Sequence, residues 1–176
     1  MVLHSRQPVG ASLVSIVATT PIGAVSEKET KNCFVDQSRY SYRDHCIDYL
    51  LPCSQPGTAG CTIETLALFS DATLVEWAAA ILGVSPRISS EEIDQLLKAC
   101  GCIMTLAQIE VIASRVERGS RSFAFVENKK GGVSCLYLAP DVDDHGGRLM
   151  VFLDRCLDVC PVSTREDDRL FVQRIV

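Results

Sequence analysis

The residues in this chain best suited to chemistry lie at Ser54-Gln55-Pro56-Gly57-Thr58-Ala59-Gly60-Cys61-Thr62-Ile63-Glu64. A loop with two glycines and a proline runs into an apolar stretch, and a thiol stands at the junction. Read as a helix start, that junction puts Cys61 in the positive end of a helix dipole, beside unpaired backbone N–H groups. Both favour the thiolate, the reactive form of cysteine. Gln55 lies six positions earlier, and its carboxamide could help hold the oxyanion formed when a thiolate attacks a carbonyl. The plainer reading of the same residues is a small buried cysteine after a turn, with an ordinary loop glutamine before it.

The other thiols offer a second chemistry. Cys100-Gly101-Cys102 and the pair Cys156 and Cys160 could bind a soft metal as thiolates. Neither has the paired spacing of a zinc ribbon, and His45-Cys46 and Cys53 complete no ligand set. The expectation is therefore structural cysteine and no cofactor. The acidic turn Asp141-Val142-Asp143-Asp144 is too short for a calcium loop and lacks its final glutamate. Glu166-Asp167-Asp168 reads as a solvated turn. Trp77 and Phe69 read as core.

The elements that must position these residues follow from periodicity. Residues 1–30 read as an N-terminal arm. Its first 25 residues have a short apolar centre that also suits a weak targeting segment. Residues 31–176 read as a single domain, long enough for its own core. Pro52 to Gly60 is a loop on turn chemistry. From Cys61 to Leu82 the apolar spacing is helical, with a break and a fresh N-cap at Ser70 or Asp71. Ser89-Ser90-Glu91-Glu92 and Thr105 with Gln108 are capping boxes that open two further helices, closed by Gly101 and Gly119. The period then changes to strands: Ser122–Glu127, Val133–Ala139, Arg148–Asp154 and Arg169–Val176, with a turn at Asn128–Gly132. The expected class is α+β, with a helical N-terminal half and an antiparallel sheet in the C-terminal half.

Bulk composition limits the function. The 176 residues are 47% hydrophobic and 22% charged, with a formal net charge of −5. No Lys/Arg run marks a nucleic-acid partner. No apolar run approaches the roughly 20 residues of a membrane span. Nine cysteines, an odd number, suit the cytoplasm or another reducing compartment. Oligomeric state stays open.

The order of these features resembles the papain-like fold, in which a cysteine opens the central helix and a later sheet supplies the base and its orienting acid. Gln55 stands where the oxyanion glutamine of such enzymes stands. Two subfamilies are similar. Bacteriocin-leader peptidases share the capped helices at Ile88-Ser89-Ser90-Glu91-Glu92-Ile93 and Met104-Thr105-Leu106-Ala107-Gln108. Phytochelatin synthase resembles Gln55 to Leu68, Lys98-Ala99-Cys100-Gly101 with Ile103-Met104-Thr105, and Leu153-Asp154 before Pro161. The likeness covers about residues 45–160.

The resemblance implies thiol acyl transfer on a small peptide, by a cysteine peptidase or a glutathione-type peptidyl transferase. Cys61 would be the nucleophile, a histidine the base and Asp154 its orienting acid. In both subfamilies the histidine heads the strand before the one that ends in the acid, which here falls near Val133-Ser134-Cys135-Leu136. That segment has no histidine. Two readings follow: His145, in the turn Asp143-Asp144-His145-Gly146-Gly147, is the base, with Asp154 or Asp158 beside it, or the base is lost. The first gives an enzyme using Cys61, Gln55, His145 and Asp154. The second gives an inactive papain-like pseudoenzyme that binds a peptide or protein. An unrelated α+β interaction protein is a third reading.

Overall fold

Helix and strand both form, and the strands reach further toward the N-terminus than the periodicity suggests. A computed structural model describes residues 14–22, 36–42, 61–68, 73–105, 108–109, 121–141, 143, 148–154 and 168–175. Along the chain run β1 (Val14–Ile22), β2 (Tyr40–Tyr42), β3 (Cys61–Leu68), α1 (Leu74–Leu82), α2 (Ser90–Ala99), β4 (Ser122–Glu127), β5 (Val133–Pro140), β6 (Leu149–Asp154) and β7 (Arg169–Ile175). All seven strands share one sheet in the order β1-β3-β7-β4-β5-β6-β2. The β4–β7 and β2–β6 pairs are parallel and the other four are antiparallel.

The α+β class holds, but three expectations about its layout do not. Residues Cys61–Leu68 are a strand, not the start of a long helix. Ile63 and Leu66 are both buried, and β3 lies between β1 and β7. A strand covered on both faces carries apolar residues at odd and even positions, which a spacing of three imitates. Thr62, Ile63 and Thr65 are β-branched, and that tips the segment toward a strand. The sheet is mixed and draws strands from both halves of the chain, so the first half is not purely helical. Finally, the stretch read as an arm contains β1, nine residues paired antiparallel with β3.

The local signals further along translate directly. Thr73, rather than Ser70 or Asp71, caps α1: its hydroxyl accepts from the Glu76 N–H at 3.1 Å, and the Glu76 carboxylate accepts from the Thr73 N–H at 2.6 Å. Gly83 ends α1 at a φ of 69°, where Val84 N–H donates to Ala79 and Gly83 N–H to Ala80. Glycine suits that left-handed position because it has no Cβ to clash. Ser89 and Glu92 form the expected box on α2. Thr105 and Gln108 form the third, at 3.0 and 3.2 Å; the residues expected to continue a helix from it, with Ile112, Val116 and Gly119, lie outside the described residues.

Both helices pack on one face of the sheet. Trp77 of α1 meets Phe123 of β4 edge to face at 5.6 Å, and Phe123 meets Tyr137 of β5 at 4.7 Å. Ile93 and Leu97 of α2 join them with Leu66, Phe125, Cys135, Leu170 and Val172. The opposite face buries Ile63, Ala124, Val126, Leu136, Leu138 and Phe171.

Candidate functional site

Cys61 is the first residue of β3. Its register partners are Ile22 on one side and Ile175 on the other. A residue within a sheet has neither the dipole nor the unpaired N–H groups of a helix start. The expected activation of this thiol therefore loses its structural basis.

Asp154 ends β6, opposite Cys135 of β5. Between β3 and β6 lie β7, β4 and β5. That is four steps of ~4.8 Å, or roughly 19 Å along the sheet. The fold does not bring Cys61 and Asp154 into a hydrogen-bonded relay, whose members must approach within ~3 Å. Gln55 and His145 lie outside the described residues, as do Asp158, Cys156 and Cys160. Where the resemblance calls for a histidine, the described strand offers Ser134 and Cys135, both buried.

The remaining described thiols do not converge. Cys100 is exposed and Cys102 buried, separated by Gly101 at a φ of 66°. Among the described residues there is no group of three or more His, Cys, Asp or Glu side chains placed to hold a metal ion.

What does converge is polar and joins α2 to the β4–β5 turn. The Asn128 carboxamide oxygen accepts from Lys130 N–H at 3.0 Å and Gly132 N–H at 3.2 Å, while its nitrogen donates to Ser134 Oγ at 2.9 Å. Asp94 Oδ2 accepts from Val133 N–H at 3.1 Å. Its other oxygen is buried with no hydrogen-bond partner. Burial pushes the Asp94 carboxyl above its ordinary range, against the opposing pull of Val133 N–H and Lys98. Lys98, one turn along, donates to the Gly131 carbonyl and stands 3.4 Å from Glu127. A side chain at Gly132 would place its Cβ 3.3 Å from Asp94 Oδ2, a tight contact that the carboxylate would have to relieve by a few tenths of an ångström. The turn itself is legible from Asn128 to Gly132. The contribution of Asp94 is less so, because its partner lies 39 residues away.

A second polar contact corrects an expectation. Asp168, read as part of a solvated turn, is completely buried. Arg121 grips both its oxygens, at 3.1 and 2.6 Å, and lies over the Phe123 ring at 5.7 Å. The pair stands where β4 and β7 begin side by side, with Arg169 N–H donating to the Arg121 carbonyl. At the far end, Ser41 of β2 donates to Asp141 at 2.5 Å, so part of the acidic turn after β5 serves to hold β2. These contacts fasten elements together; none pairs a nucleophile with a base.

No helix among the described residues is long and apolar enough to cross a membrane. Comparisons with family models, with curated proteins and with solved structures find no match.

Proposed function

We propose that this chain is a peptide- or protein-binding module without a working thiol nucleophile. The observation that carries the reading is the position of Cys61: it opens a strand inside the sheet, with three other strands between it and the strand of Asp154. A cysteine at that backbone position is not at a helix start, and the sheet order holds it apart from Asp154. The papain-like likeness enters through one further detail. The start of the preceding strand, near which the resemblance calls for a base, carries Ser134 and Cys135, and Cys135, a buried thiol, stands opposite Asp154. A degenerate papain-like domain that has lost its base fits that substitution. Acyl transfer through Cys61 and His145 has no comparable support.

The reading is tested with the full chain and a mass-encoded library of short peptides. Wild type and Cys61→Ala are expected to retain the same library members, and neither should cleave or transfer them. Turnover that disappears in Cys61→Ala overturns the proposal in favour of an enzyme. Failure to retain any peptide or protein segment overturns its binding half.

A further inference from the structure

We draw no further inference here: the strongest candidate, the polar cluster of Asp94, Lys98, Asn128 and Gly132 where α2 meets the β4–β5 turn, belongs to the fastening already described, and nothing among the described residues shows a ligand that it would take.

Discussion

Asp94 is held between two opposed demands. One oxygen accepts the Val133 N–H and so ties α2 to the start of β5; the other is buried without a partner. Burial raises its pKa above the unfolded value near 3.8. The folded state then binds more protons than the unfolded state between that value and the higher folded one. Stability contributed by this group is greatest at low pH, falls as pH rises through that window, and stays reduced above it. Asp94→Asn keeps an acceptor for Val133 and removes the charge. Relative to wild type, the variant should gain stability as pH rises from about 4 to about 7, by less than about 1 kcal/mol after solvent screening. Urea unfolding at the two pH values measures the difference. A variant that loses ground toward pH 7 would mean that the charged form, through Lys98 and Val133, is the stabilising one.

At the scale of the element, the capping boxes are the clearest bridge from sequence to structure. Each joins a hydroxyl and a carboxylate or amide three residues apart, and nothing distant is needed to form it. Ser89→Ala removes the hydroxyl that accepts from Glu92 N–H at 3.2 Å. It should lower the unfolding free energy by about 1 kcal/mol, read from the shift in a denaturant midpoint at constant slope. No change would mean that α2 is held wholly by Ile93, Leu97 and its link to the β4–β5 turn. The same locality explains why Ser122–Glu127, Val133–Pro140 and the turn between them were legible. It also explains where legibility stops. The strand character of Cys61–Leu68 comes from neighbours on both sides, contributed by residues 14–22 and 169–175. Ile63, Leu66 and Ala67 taken alone fit a helix equally well. Asp168 looked solvated because its partner, Arg121, lies 47 positions away in the chain.

For the molecule as a whole, sheet order decides more than spacing does. Residues that stand in a plausible order along the chain are dispersed by the sequence β1-β3-β7-β4-β5-β6-β2. Cys61 and Asp154 finish on strands with three others between them. The candidate site read from Gln55 and Cys61 presupposed a helix that local spacing alone could not guarantee. With that helix replaced by a strand, the helix-end argument for an activated thiol falls.

The central proposal is that Cys61 does not serve as a nucleophile. The most direct measurement is the rate of its alkylation by iodoacetamide as a function of pH, followed peptide by peptide by mass spectrometry across all nine cysteines. The account predicts slow labelling of Cys61 at near-neutral pH, with no preference for it over the other thiols. Selective labelling of Cys61 over the other thiols, already at its plateau near pH 6, would contradict it.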